Sequence, residues 1–241
     1  MMPVTSGIRH LDAALGGGFA DGTLCAIVGD TGSGLGVLAK QFASVGDEKS
    51  YYFSTIDSRD EVLSTITRFG WRTDLEIVDI GDKYYDSVLL KRLEVTRYRQ
   101  EGIKVMDVFE SPTEGERPFN FLTFLTHEIF KIKPPFRITI DSLDFFLDNY
   151  GVEDVLGALR TLKAYNKRSR GTLLVTMTKN VFDTRTQNSI YALCDTMLEL
   201  DRERVGKKFE NSLIVSKVKS FPERTKILQY SITADGFTLF E

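Results

Sequence analysis

An apolar run, Leu24-Cys25-Ala26-Ile27-Val28, ends abruptly in Gly29-Asp30-Thr31-Gly32-Ser33-Gly34-Leu35-Gly36. An unbroken apolar stretch of this length suits a strand buried on both faces. The residues after the glycines, Val37-Leu38-Ala39-Lys40-Gln41-Phe42-Ala43, read as a helix. Strand, glycine-rich turn and helix in direct succession are the opening of an α/β unit. Four glycines in eight residues let backbone amides curl around an anion, and the start of a helix adds a favourable partial charge.

A working phosphate-binding loop is G-x-x-x-x-G-K-[ST], whose lysine reaches the outer phosphates and whose hydroxyl holds magnesium. Gly29 and Gly34 have that spacing, but Leu35 stands in the lysine place and Gly36 in the hydroxyl place. Gly29, Asp30, Thr31, Gly32, Ser33, Gly34, Leu35 and Gly36 are the candidate nucleotide-binding residues. Losing one charge-assisted hydrogen bond, roughly 1.5–3 kcal/mol, weakens affinity by about tenfold to a hundredfold. Catalysis loses more, because phosphoryl transfer relies on lysine and magnesium in the transition state. Lys40, five residues past Leu35, is expected on another side of the helix and is no evident substitute. The plain alternative is a tight strand-to-helix turn with no ligand.

The rest of the chain has the same alternation. Strands are predicted at Ser50–Thr55, Leu75–Ile80, Phe136–Ile140 and Thr172–Thr176. Helices are predicted over Arg59–Phe69, from Phe121 to Ile132 before Pro134-Pro135, and from Val152 to Leu162. After Asp195 the pattern changes to short strands, Thr196–Leu200, Leu213–Lys219, Ile227–Thr233 and Phe237–Phe240, with turns at Gly206, Pro222 and Gly236. In residues 81–118, Tyr85, Leu89 and Leu93 fit a helix face, Ile103–Phe109 alternates like a strand, and Ser111–Pro118 reads as a polar turn. Tyr84, Tyr85, Tyr98 and Phe109 make either a partner surface or a local core. The expected class is α/β, one doubly wound domain over 1–241 with antiparallel hairpins at one edge.

Composition excludes several functions. With a net charge of −3 there is no general attraction to nucleic acid. Two histidines and two cysteines give no credible metal cluster. Cys25 and Cys194, in apolar surroundings, read as buried reduced thiols of a cytoplasmic protein. No apolar run is long enough to span a bilayer, and the first residues lack the pattern of a signal peptide.

Phe136-Arg137-Ile138-Thr139-Ile140-Asp141-Ser142 has the form of a strand whose terminal aspartate orients magnesium. Together with Thr5-Ser6-Gly7-Ile8-Arg9-His10-Leu11-Asp12-Ala13-Ala14-Leu15-Gly16-Gly17-Gly18, it carries a specific resemblance. The run resembles the "T-G-I-x-x-L-D-x-x-L-G-G-G" entry of the KaiC-like branch of the RecA/RadA superfamily. Tyr52-Phe53-Ser54, Ile140-Asp141-Ser142-Leu143, Cys194–Leu200 and Lys217-Val218-Lys219 are similar to that family's later strands, so the resemblance covers nearly the whole chain.

The resemblance implies a RecA-like P-loop NTPase fold that binds ATP or ADP with Mg²⁺ at a subunit boundary. It further implies a ring-type homo-oligomer of about six subunits. It assigns magnesium to Asp141 and a trans contact to the neighbour's nucleotide to Lys217 and Lys219. Lys219 stands where the family has arginine, so a bidentate grip becomes a point charge. The acidic pair that activates water in active relatives reads Ile56-Asp57 here, leaving Asp57 as a candidate residual carboxylate. Asp60 and Glu61 fit better as the acidic first turn of the next helix.

Three functions follow as expectations. The first is a KaiC-like domain that hydrolyses nothing, binds nucleotide weakly or not at all, and serves as a regulatory or scaffold subunit with protein partners, as in archaeal regulators and the archaellum motor accessory protein. The second is a slow ATPase using residues supplied in trans. The third is a RadA-like paralogue whose segment Thr178–Asn188, with Lys179 and Arg185, contacts DNA. For the basic group Lys163, Lys167, Arg168 and Arg170, a solvated helix end is the simpler reading.

Overall fold

The computed structural model describes residues 3–90, 93, 96, 97, 100, 119–219 and 221–240. The Thr5–Gly18 run folds as a small antechamber to the sheet. β1 (Pro3–Val4) pairs antiparallel with β2 (Phe19–Ala20), and α1 (Arg9–Leu15) lies between them. Asp12 ties this turn together, accepting from the Ser6 amide at 2.7 Å and the Thr5 hydroxyl at 2.5 Å.

The apolar run becomes β3 (Thr23–Gly29), the centre of a nine-stranded sheet. On one side of it stand β7 (Thr172–Thr178), β6 (Phe136–Asp141), β4 (Lys49–Ser54) and β5 (Glu76–Asp79), all parallel. On the other side stands parallel β8 (Thr196–Val205), followed by antiparallel β9 (Lys208–Val218), β10 (Lys226–Thr233) and β11 (Gly236–Phe240). This is the α/β class with C-terminal antiparallel strands that the alternation predicts.

Both faces of β3 are buried, which explains its lack of polar alternation. Leu24, Ala26 and Val28 enter one core with α5 (Phe121–Lys131), α6 (Asp144–Asn149), α7 (Val152–Ser169) and α8 (Thr184–Leu193). Cys25 and Ile27 enter a second core with α1, α2 (Leu35–Ala43) and the antiparallel strands. α3 (Arg59–Arg68) packs Val62 and Ile66 against Ala39, Ala43 and Tyr52 in a third. Both cysteines are buried thiols, and burial pushes each up to about 12.

Several expectations need correction. β8 and β9 run well past Leu200 and start well before Leu213, because they continue as a two-stranded ribbon to the turn at Gly206. That ribbon carries exposed Arg202, Glu203 and Arg204, so it lacks the apolar alternation that marks a half-buried strand. The segment read as a DNA loop is helical from Thr184, capped by Asp183, which accepts from the amides of Arg185 and Thr186. The expected third strand ends at Asp79, whose carboxylate caps α4 (Ile80–Tyr84). Tyr84 belongs to the core, with ring centres 5.6 Å from Phe121 and 5.3 Å from Phe145, whereas Tyr85 is exposed. The predicted strand Ile103–Phe109, the turn Ser111–Pro118 and Tyr98 lie outside the described residues. Among the described residues no helix is long and apolar enough to cross a membrane.

Candidate functional site

β3 delivers Gly29 to the carboxyl edge of the sheet, level with Thr178 of β7 and Leu200 of β8. Ligands of parallel α/β sheets bind along this edge. The chain then curls. The Ser33 amide donates to the Asp30 carbonyl at 3.0 Å. Gly32 and Gly34 both have positive φ, in the left-handed region that glycine enters without strain. Gly34 caps α2, whose first-turn amides have no intrahelical acceptor. Gly29, Asp30, Thr31, Gly32, Gly34, Leu35 and Gly36 border a cleft of about 380 Å³, closed on its far side by Asp57, Thr65 and Arg68. Ser33 lies beneath, with its hydroxyl buried.

β8 and the C-terminal hairpin of β10 and β11 together clamp this loop. Tyr230 donates its hydroxyl to the Ser33 carbonyl at 2.6 Å, and Arg202 donates to the Gly32 carbonyl at 3.1 Å. Ile232 fills the space above Gly34, where an added Cβ would lie 2.2 Å from its Cδ1. Gln41 holds the far strand through both its amide groups, bonding Phe237 N at 2.8 Å and Phe237 O at 3.3 Å. Leu35 forms part of the cleft wall and packs into the second core beneath this hairpin, so the lysine place of the loop is apolar.

The cation of the cleft comes from the next turn. Helical side chains lean toward the N-terminus, so a residue four positions on lies over the one before it. Gly36 is bare, and Lys40 covers it: a Cβ added to Gly36 would stand 3.3 Å from the Lys40 ammonium and 3.5 Å from Asp141 Oδ2. Lys40 is buried, its ammonium 2.7 Å from Asp57 Oδ2, 3.9 Å from Asp141 Oδ2 and 3.5 Å from the Gly36 carbonyl. Lys40, read from the sequence as no evident substitute for the phosphate lysine, thus borders the cleft and is engaged by carboxylates. Its angle to Leu35 is the wrong comparison, since the informative spacing is i to i+4 from Gly36.

Asp141 ends β6 with both carboxylate oxygens engaged. Thr176 donates to Oδ1 at 2.6 Å, and Tyr52 donates its hydroxyl to Oδ2. Burial and the Asp141 charge push the Tyr52 hydroxyl well above its ordinary range, which keeps it a donor. Asp57 is half-exposed and faces Lys40. Asp60 and Glu61 begin α3 as expected, and Ser58 and Glu61 form a reciprocal cap that holds the Glu61 carboxyl below its usual range. A magnesium ion does not fit these residues, because position 36 offers no hydroxyl and an ammonium lies between the Asp57 and Asp141 carboxylates. Among the described residues no group of three or more His, Cys, Asp or Glu is placed to hold a metal.

The other sequence candidates lie elsewhere. Lys217 pairs in register with Met197, near the start of β8, and donates to the Tyr191 carbonyl at 3.0 Å. Lys219 lies 3.0 Å from Asp195. Asp195 and Lys219 stand near the amino end of β3, most of that strand's length from the glycine loop, whereas Lys217 is level with Ala26 in mid-strand. Neither lysine is among the residues that border the glycine-loop cleft of its own chain. Lys219 borders a larger cavity of about 630 Å³ with Lys163, Lys167, Arg170 and Arg224, on the side away from the strand carboxyl ends. Lys179 is paired with Asp201 at 2.5 Å and Glu199 at 3.3 Å, and Arg185 sits in the first turn of α8. Sequence reasoning missed Tyr52, Thr176, Arg68, Arg202 and Tyr230, which act through long-range contacts that no local pattern records.

A family model described as "ATPase: KaiC" matches residues 4–241. The chain is 25% identical over 239 residues to the circadian clock oscillator protein KaiC of Nostoc sp., covering 97% of this chain and 41% of that protein. It is 25% identical over 243 residues to KaiC 1 of Synechocystis sp., with 97% and 41% covered, and 23% identical over 239 residues to KaiC of Synechococcus elongatus, with 97% and 41% covered. The chain thus spans about two fifths of the length of the curated relatives it matches. With its glycine loop at the carboxyl edge of a mainly parallel sheet and a family match across almost its whole length, the chain belongs to the KaiC ATPase family.

Proposed function

We propose that this KaiC-family chain is a single RecA-like domain that has given up ATP turnover and serves as a regulatory or scaffold subunit. The observation that carries this reading is Leu35, an apolar, partly buried side chain in the phosphate-lysine place that borders the cleft and packs against the core under the hairpin. The first-turn amides of α2 and the curled glycines remain able to receive a phosphate group, so nucleotide binds weakly, through backbone donors alone. Asp57, engaged with Lys40, is a poor base for a water molecule.

The test is ATP turnover with and without Mg²⁺, run beside Asp141→Asn as the background and with calorimetric titration of ATP and ADP. The expected result is no turnover above the Asp141→Asn variant and at most weak heats of binding. Turnover at the rate of active family members, abolished by Asp141→Asn or Asp57→Asn, would overturn the reading.

A second reading is a slow ATPase completed in trans. Lys217 and Lys219 are the residues it would use in trans, since neither borders the glycine-loop cleft of its own chain. Light scattering after size exclusion decides this, since a strict monomer removes it. The DNA-binding reading is weakened by Lys179, whose charge is already shared between Asp201 and Glu199.

A further inference from the structure

We infer that Lys40 is a tethered cation standing in the place of a divalent metal, so that the cleft excludes Mg²⁺ and admits phosphate groups metal-free. The inference takes the cleft to be the phosphate cleft of the reading above. It rests on three observations. The ammonium sits between two carboxylates, 2.7 Å from Asp57, which borders the cleft, and 3.9 Å from Asp141, which lies behind Lys40. It fills the space that a hydroxyl-bearing side chain at position 36 would need, with 3.3 Å to an added Cβ there. Its own stem is packed, with the side chain 4% exposed and the ammonium 5.6 Å from the centre of the Tyr52 ring.

A dication could reach Asp141 only by expelling this buried side chain or by enduring a like charge in contact with it. Mg²⁺ also requires near-octahedral oxygen ligands and gives up its waters reluctantly. Thr176 and Tyr52 each donate to one Asp141 oxygen, which leaves Lys40 as the group a metal would meet there. Lys40 is therefore counter-ion to the protein's own carboxylates rather than a hand for phosphate. A second cation, Arg68 of α3, borders the same space.

The experiment uses Mn²⁺ alone, a paramagnetic ion suited to the same oxygen ligands. Binding is followed by electron paramagnetic resonance on the full chain up to about 1 mM, the weak end of protein carboxylate sites. The wild type is expected to show no site that Asp141→Asn removes. Lys40→Met is expected to gain one site, at least tenfold tighter than any in the wild type, and Lys40→Met/Asp141→Asn to lose it. Lys40→Gln, which keeps a neutral donor for Asp57, replaces Lys40→Met if the latter does not fold. A wild-type Mn²⁺ site lost in Asp141→Asn overturns the inference, and so does a folded Lys40 variant that gains none. The outcome is separable from the proposed loss of turnover. A wild-type metal site without hydrolysis would sink this inference alone, whereas hydrolysis without a metal site would sink the other.

Discussion

Replacing Lys40 with methionine tests which carboxylate the buried ammonium serves. The shorter contact is to Asp57 at 2.7 Å, but the Asp57 side chain is 41% exposed; the longer, 3.9 Å, is to Asp141, which is 14% exposed. At a separation near 4 Å the attraction is about 4 kcal/mol under protein-like screening and about 1 kcal/mol in water. The Asp141 contact lies nearer the first limit and the Asp57 contact nearer the second. Desolvation takes back much of the gross attraction, and exposed pairs are worth at most about 1 kcal/mol. Lys40→Met should therefore destabilise by about 3 kcal/mol, the lower end for breaking a buried pair, because Tyr52 and Thr176 still support Asp141. For a chain of this size that lowers the melting temperature by about 6–12 °C. Urea unfolding of double-mutant cycles should give a coupling of about 2 kcal/mol between Lys40 and Asp141, against about 0.5 kcal/mol between Lys40 and Asp57. A coupling to Asp57 equal to or above that to Asp141, or a Lys40→Met variant within about 0.5 kcal/mol of wild type, would refute the argument that burial outweighs distance here.

Three further outcomes are expected. Tyr230→Phe removes the hydroxyl donated to the Ser33 carbonyl and should cost about 1 kcal/mol, with faster amide exchange confined to Gly32–Gly36. Gly34→Ala should cost about 1 kcal/mol or more from its left-handed backbone alone. Ile232→Ala should relieve the added clash without recovering that backbone term, as a melting series would show. Asp195 is the pH-sensitive carboxylate: burial pushes it up, but hydrogen bonds from Lys163, the Leu24 amide and Lys219 outweigh burial and hold it below its ordinary range. A lowered folded value means that the unfolded chain takes up the proton first. The stabilisation is thus present above the unfolded value of about 3.9 and lost as the pH falls through the lower folded value. Urea midpoints for Asp195→Asn should fall at pH 7 and converge on wild type toward pH 3, and an equal loss at both would contradict the assignment.

What the sequence made legible was whatever rests on local periodicity. β3 and α2 are found to within two residues, because an unbroken apolar run and a glycine turn have few other solutions. α8 was not legible: its first turn, Thr184-Arg185-Thr186-Gln187, is polar, and its one strong signal is the Asp183 cap. The β8–β9 ribbon was missed for the opposite reason, since it is a strand pair with no buried face at its tip. Within the site, the empty lysine and hydroxyl places were plain in the sequence. The cation that compensates was not, because a helical period counted from Leu35 has the wrong origin.

The glycine pattern and the ligand chemistry of this loop also separate on physical grounds. A Cβ at Gly29 would lie 2.6 Å from the Ser33 hydroxyl and 3.1 Å from Leu200 Cβ, and one at Gly34 would strike Ile232. Packing therefore favours glycine at both places, at 29 to close the loop against β8 and at 34 to seat the hairpin, whether or not a phosphate ever enters. Retention of the cradle is explained by packing alone. The positions that report on chemistry are those the packing leaves free, and Gly36 is the clearest. An added Cβ there meets nothing closer than 3.3 Å, and the two atoms within 4 Å are the Lys40 ammonium and an Asp141 oxygen. A hydroxyl residue would be accommodated sterically if Lys40 withdrew. Glycine at 36 and lysine at 40 thus act as one unit: the first leaves a space beside two carboxylates, and the second fills it with a single positive charge that cannot dissociate.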